Sequence, residues 1–77
     1  MRSEEIREYL DARPFVPFRV HLSDGSSYQI VHPHQALVTT WSVEVGVPEL
    51  RVEPRIYERI AHCSLINIVK VEKLQAA

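Results

Sequence analysis

Residues 13–25, Arg-Pro-Phe-Val-Pro-Phe-Arg-Val-His-Leu-Ser-Asp-Gly, constrain the fold more than any other stretch of the chain. Pro14 disfavours helical geometry at Arg13, so a helix arriving from the N-terminus must stop near Ala12. Phe18, Val20 and Leu22 then alternate with Arg19, His21 and Ser23, the period of a strand with one buried face. After Asp24-Gly25, Tyr28 and Ile30 alternate with Ser27 and Gln29. The facing of these residues selects the turn between the two strands. A two-residue Asp24-Gly25 loop would set Val20 against Gln29 and Leu22 against Ser27, mixing apolar and polar residues on one face. A three-residue loop, Ser23-Asp24-Gly25, sets Leu22 against Ser26, Val20 against Tyr28 and Phe18 against Ile30. The apolar set then shares one face. Loops of this kind combine a type I turn with a left-handed residue, a conformation open to glycine. The expectation is a G1-type bulge at Gly25.

Upstream, the spacing predicts a helix over about 3–12. Ser3 is a suitable N-cap, Glu4 and Glu5 lie in the positively polarised first turn, and Ile6, Tyr9 and Leu10 form a narrow apolar stripe. Such a helix is shorter than the roughly 12–15 residues an isolated one needs in water, so it must dock on the rest of the chain.

Downstream, the hairpin predicts strands over about 18–23 and 26–32. His32-Pro33-His34-Gln35 interrupts the pattern, and Pro33, with no N–H, suits a corner or a short helical turn. Ala36-Leu37-Val38 is apolar but too short to classify. Val43, Val45 and Val47 alternate with Ser42, Glu44 and Gly46 in a strand over about 42–47, with a bend or bulge at Gly46. Pro48–Pro54 reads as an exposed loop, with Leu50 and Val52 able to tuck inward. Residues 56–63 stay open: Ile56, Tyr57, Ile60 and Ala61 suit a helix face, whereas a strand over about 56–62 fits a run of short strands. Ser64-Leu65 marks a tight break. Ile66, Ile68, Val69 and Val71 give a last strand over about 66–72. Leu74 can pack, and Gln75-Ala76-Ala77 should fray. One short helix followed by several strands implies a mainly β (α+β) fold. The expected form is a small, strongly bent antiparallel sheet closing into a barrel, with the helix over one end.

The chain has 77 residues, which implies a single domain. Apolar residues make up 45% and charged residues 25%, the balance of a globular domain rather than a disordered one. Net charge is −1, and the nine lysines and arginines are scattered among acids. A nucleic-acid binder that tracks the phosphate backbone needs a basic face, which this pattern does not offer. Cys63 is the lone cysteine, so no intrachain disulfide forms, whereas small secreted domains are usually stapled. Met-Arg-Ser-Glu-Glu lacks the apolar run of a secretion signal, and no stretch nears the roughly 20 apolar residues of a membrane span. The expectation is a cytoplasmic protein with no membrane partner.

The run Arg13-Pro14-Phe15-Val16-Pro17-Phe18, then Asp24-Gly25, then His32-Pro33, resembles a group of small uncharacterised bacterial proteins. In that group a short helix, an R-P-F-x-P-F segment, a D-G turn and an H-P corner follow in the same order. Ser64-Leu65-Ile66-Asn67-Ile68-Val69-Lys70-Val71 is similar to its C-terminal pattern. The likeness covers most of the chain outside Pro48–Pro54 and implies no activity. At fold level the chain is also similar to Sm-like and SH3-like barrels, which share the helix-then-strands order and a tight break before the final strand. That likeness favours a strand over 56–63. The Sm-type RNA signature is absent: Asp24 has no companion Asn in its loop, and no Arg-Gly pair occurs.

Candidate chemistry is sparse. His32 and His34 at i, i+2, with His62 or Cys63, would supply zinc ligands only if the fold gathered three or four of them. Pro33 separates the first two, and residues 62 and 63 diverge in a strand. The expectation is surface histidines, with Cys63 a small buried hydrophobe, and neither a metal nor a cofactor. A Cys63–His nucleophile pair lacks a glycine-rich oxyanion loop, Ser42, Ser64 and Asp24 show no triad-like setting, and Gly25 and Gly46 cannot build a phosphate loop. No catalytic residue is expected and the protein reads as no enzyme. Pro14-Phe15-Val16-Pro17 has P-x-x-P spacing but reads as a rigid connector between helix and strand. Phe15 should join the helix to the sheet, and Phe18 and Tyr28 belong to the core face. Trp41 is expected to be buried, although an exposed tryptophan would be the best hint of a contact surface. The function expected is therefore a non-enzymatic protein-interaction or self-associating module. It would pair with its own copies or another protein through sheet edges, with the Val43–Val47 strand and the final strand as candidates. The alternative is single-stranded RNA binding by an Sm-like barrel through Trp41, Arg19 and the histidines. A metal- or thiol-dependent enzyme using His32, His34, His62 or Cys63 comes third.

Overall fold

The computed structural model describes residues 1–49 and 56–74, and in them one helix and six short strands build two antiparallel sheets. Helix α1 spans Ser3–Asp11. Its N-cap is Arg2 rather than Ser3, because the Glu5 carboxylate accepts the Arg2 backbone N–H at 3.0 Å and performs the capping itself. The Arg13 guanidinium closes the other end by donating to the carbonyls of Leu10 (3.3 Å) and Ala12 (2.9 Å). Ile6 and Leu10 are buried, and the Tyr9 ring lies 5.1 Å from that of Phe18, with Phe15 6.1 Å away on the same ring. This aromatic cluster docks the short helix on the sheet.

The first sheet has the order β2 (Ser27–Ile30), β1 (Phe18–Leu22), β6 (Ile68–Lys73). Phe18 faces Ile30 and Val20 faces Tyr28, while the Leu22 N–H donates to the Ser26 carbonyl at 2.9 Å. The loop is thus Ser23-Asp24-Gly25, and Gly25 carries the left-handed φ of +91°. On the other side Val20 faces Val71, and a bulge beyond His21 leaves Val69 as the extra, exposed residue of β6.

The last strand starts at Ile68, two residues later than the alternation suggests. Leu65–Asn67 is a 3₁₀ turn that drives Leu65 into the core and leaves Ile66 outside.

The second sheet has the order β3 (Ala36–Val38), β4 (Ser42–Pro48), β5 (Tyr57–Ser64). Residues 57–64 are strand because β4 supplies their ladder, with Val43 facing Cys63 and Val45 facing Ala61. The Val43–Val47 strand is therefore central, not the edge it was expected to be, since the three residues of β3 cover its other side. Among the described residues the final strand, β6, is an edge, as are β2, β3 and β5.

Between β2 and β3, Pro33–Gln35 forms a short 3₁₀ turn whose last residue is buried. Gln35 Nε2 donates to the carbonyls of Gln29 (2.9 Å) and Gly46 (2.8 Å), and its Oε1 accepts the Val31 N–H (2.9 Å). The side-chain amide makes the bonds a neighbouring strand would make. For that reason β2 ends at Ile30 instead of running to 32, and its edge is occupied beside Val31. No strand pairing joins the two sheets among the described residues. The core nevertheless draws on both, uniting Ile6 and Leu10 of α1 with Phe18, Val20 and Ile30, and with Val43, Val45 and Cys63. No described helix is long and apolar enough to cross a membrane. The expected inward turn of Leu50 and Val52 and the frayed Gln75–Ala77 lie outside the described residues.

Candidate functional site

The histidines and the cysteine do not converge. His32 and His34 flank Pro33 with their rings stacked, centroids 5.2 Å apart and planes 7° from parallel, and both are exposed. His21 Nε2 lies 3.0 Å from Glu72 Oε1 on the outer face of the first sheet, and His62 Nδ1 lies 2.6 Å from Glu44 Oε2 on the outer face of the second. Cys63 alternates inward from His62 and is fully buried. Burial pushes its thiol up to about 11, and the negative charges of Glu44 and Asp24 add to the effect. Among the described residues no three His, Cys, Asp or Glu side chains gather as a metal ion would need. Arg19 is engaged with Gln29 Oε1 at 3.0 Å.

A polar chain runs across β4 and β5. The Ser42 hydroxyl donates to Glu44 Oε2 at 2.7 Å, the same oxygen meets His62, and the Thr39 hydroxyl lies 2.7 Å from Ser42 Oγ. The carboxylate thus stands between serine and imidazole. In a serine–histidine nucleophile pair the imidazole would take the serine proton, whereas here the carboxylate accepts the hydroxyl, so the order differs from that of such a pair. The Ser42 hydroxyl, with His62 second, holds Glu44 below its usual carboxylate value against the opposing effect of burial.

What the chain does hold in place is the β3–β4 turn. The Thr39 N–H donates to the Ser42 carbonyl at 2.9 Å, and the Thr39 hydroxyl accepts the N–H groups of Trp41 (3.2 Å) and Ser42 (3.0 Å). On its other side the Trp41 carbonyl accepts the Leu65 N–H at 2.9 Å, and the Met1 amine donates to the Leu65 carbonyl at 3.1 Å. The Trp41 backbone is tied from both directions, yet its side chain is 79% exposed, and Ile66, next to Leu65, is 85% exposed. Trp41 is therefore not buried as expected. Threonine-turn chemistry at Thr39 is the local signal for this geometry, since hydroxyls that accept backbone N–H groups two and three residues on make tight turns whose tips face solvent.

The outer face of the second sheet holds a second apolar feature. Leu37 faces Glu44 across the ladder and Ile60 faces Gly46, and both point to solvent, 66% and 70% exposed. Between them the Tyr57 ring lies over Gly46. Leu37, Gly46, Tyr57 and Ile60, with Ala36 and His34 at the rim, enclose a shallow open depression of about 370 Å³. The bend or bulge expected at Gly46 lies instead between Val47 and Pro48, and Gly46 pairs regularly with Ile60; periodicity did not assign a site role to Tyr57 or Gln35. Comparison with protein-family models, curated proteins and solved structures gives no match to this chain.

Proposed function

We propose that this protein is a non-enzymatic interaction module that self-associates or binds another protein. The observation that carries the reading is Trp41, fixed through its backbone on both sides and held out in water, with Ile66, next in the chain to the bonded Leu65, exposed as well. Rigid, protruding aromatic side chains are the usual anchors of protein contacts, because they desolvate a large apolar area at little entropic cost. Free sheet edges support it further. Gln35 occupies part of the β2 edge and β3 is short, whereas β5 and β6 are longer edges.

The same reading takes the two sheets as halves of a small SH3-like or Sm-like barrel. The strand order β6-β1-β2 followed by β3-β4-β5, the 3₁₀ turn before β6 and the Gln35 clasp support that architecture. A cytoplasmic location goes with it, supported by the lone cysteine.

RNA binding is the weaker reading. Trp41 and Ile66 sit in the runs Thr39–Ser42 and Ser64–Asn67, which contain neither lysine nor arginine. The cation bonded to those runs is the Met1 amine on the Leu65 carbonyl, far short of the row of cations a polyanion requires.

Light scattering over a range of concentrations, with emission from the only tryptophan, tests the proposal. A mass that rises with concentration and a blue shift of Trp41 are expected. A monomeric mass and unchanged emission at the highest concentration, with no partner contact at Trp41, would overturn it. Titration with oligonucleotides at low salt should leave the emission unchanged; a saturable change would favour the RNA reading.

A further inference from the structure

A depression of about 480 Å³, larger than the one between Leu37 and Ile60, follows the seam where the two sheets part. Tyr28 and Val31 line it from the first sheet and its exit, Val45, Val47 and Pro48 from the second, and Arg59 is its one charged residue. We infer that the seam takes an extended strand of another protein, with a carboxylate on that strand for Arg59. This rests on the protein-binding half of the proposed function and names the chemistry of the partner.

The backbone of β2 calls for a chain of amides. The Leu22 N–H bonds the Ser26 carbonyl, so Val20 with Tyr28 and Phe18 with Ile30 are the pairs that exchange bonds with β1. Ser27 and Gln29 turn their backbone groups the other way, and there the Gln35 amide meets the Gln29 carbonyl and the Val31 N–H. On the same edge the Ser27 N–H and carbonyl and the Gln29 N–H have no partner among the described residues. An inserted strand would continue the pairing that Gln35 begins, with alternate side chains on the apolar lining. An alkyl chain could cover that lining but would leave the edge groups unpaired.

Charge selects among peptides. No Asp or Glu lines the seam, and among the described residues no hydrogen bond or ion pair engages the exposed Arg59 side chain. A guanidinium offers a carboxylate two parallel donors, so an acidic side chain on the inserted strand is its complement. A single cation is far short of the row that a nucleic acid requires. The volume lies within the roughly 300–1,000 Å³ of ligand clefts.

The probe is the fluorescein-labelled hexapeptide Thr-Val-Thr-Val-Asp-Thr, strand-forming residues with one carboxylate, followed by anisotropy against the full chain. Saturable binding is expected, weakened about tenfold by Arg59→Ala and about tenfold by an Asn in place of the probe's Asp. The two losses should not add, because each removes the same pair. Gln29→Pro deletes an edge N–H that β1 does not use and should also weaken binding about tenfold. If circular dichroism shows that variant unfolded, wild-type amide spectra replace it: the Ser27 and Gln29 N–H signals should shift on adding the probe. No binding at about 1 mM probe, or binding indifferent to Arg59 and to the probe's Asp, overturns the seam as a peptide site. Hexanoate binding as tightly as the probe, with the Ser27 and Gln29 signals unmoved, overturns the strand and assigns the seam to a small carboxylate. These outcomes strike the seam alone where self-association or a partner contact at Trp41 persists. Joined to a monomeric mass and unchanged Trp41 emission, they strike the interaction reading with it.

Discussion

The Tyr57 ring lies on Gly46 so closely that a β-carbon at residue 46 would sit 2.9 Å from Tyr57 Cγ. The two residues belong to adjacent strands, and the ring replaces the side chain that glycine lacks on the outer face of β4. Gly46→Ala should therefore destabilise the fold by about 1–3 kcal/mol, the usual cost of overpacking. Urea unfolding with an unchanged m-value checks it. The Tyr57 hydroxyl is buried without a hydrogen-bond partner among the described residues. Tyr57→Phe should then match or exceed wild-type stability, by about 1 kcal/mol at most.

Gln35 satisfies three backbone groups drawn from β2, the chain just after it and β4. Gln35→Leu leaves all three without it and should cost about 2–4 kcal/mol, at roughly 1 kcal/mol per bond plus the residual desolvation. Gln35→Glu keeps an acceptor for Val31 N–H but loses both donors, so it should not rescue. Denaturant titration of the two variants decides whether the amide, rather than the volume of the side chain, holds the sheets together.

Cys63 should be inert in the folded protein. Raising its thiol from 9.0 to about 11 lowers the thiolate fraction at neutral pH about 100-fold. Labelling by a thiol reagent should be slower than in the unfolded chain by at least that factor. Labelling at the unfolded rate under native conditions would contradict the burial.

Acid sensitivity should trace to three lowered carboxylates, Asp24, which accepts from Ser26, and two that also meet histidines. Glu44, bonded to Ser42 and His62, and Glu72, bonded to His21, are both lowered from 4.5 in the fold. A depressed carboxylate contributes stability that is present above its unfolded value and lost as pH falls through its native value. Stability should hold above about pH 4.5 and decline below it. Glu44→Gln with Glu72→Gln should flatten that decline, measured by thermal melts between neutral pH and pH 3. The Glu72 side chain is half exposed and that of Glu44 a quarter exposed, so solvent screening keeps the effect modest.

The hairpin from Phe18 to Ile30 was legible residue by residue. Its register follows from period-2 facing, and Gly25 adopts the left-handed φ that the three-residue loop requires. The helix stop before Pro14 was legible for the same kind of reason, a local steric rule. Residues 57–64 were not, because Ile56, Tyr57, Ile60 and Ala61 satisfy two periods at once. The ladder to β4 resolves them, through pairings such as Val43 with Cys63 that lie far apart in the chain. The site was less legible than the fold. Trp41 was expected to be buried even though it follows two threonines at a turn, and the edge position assigned to Val43–Val47 failed because Ala36–Val38 was too short to classify as a strand.

Taken by itself, then, the sequence determined where the helix ends, which residues of the hairpin face inward, and that Cys63 has no disulfide partner in the chain. Each depends on backbone sterics or on counting. Only the tertiary structure decided that Gln35 bridges the sheets, that Tyr57 covers Gly46, and that Trp41 is held in solvent. In each case the deciding group is a backbone carbonyl, N–H or ring on another element. Hydrophobicity and spacing describe what a side chain prefers; they do not say which of the chain's other backbone groups will be left over for it to meet.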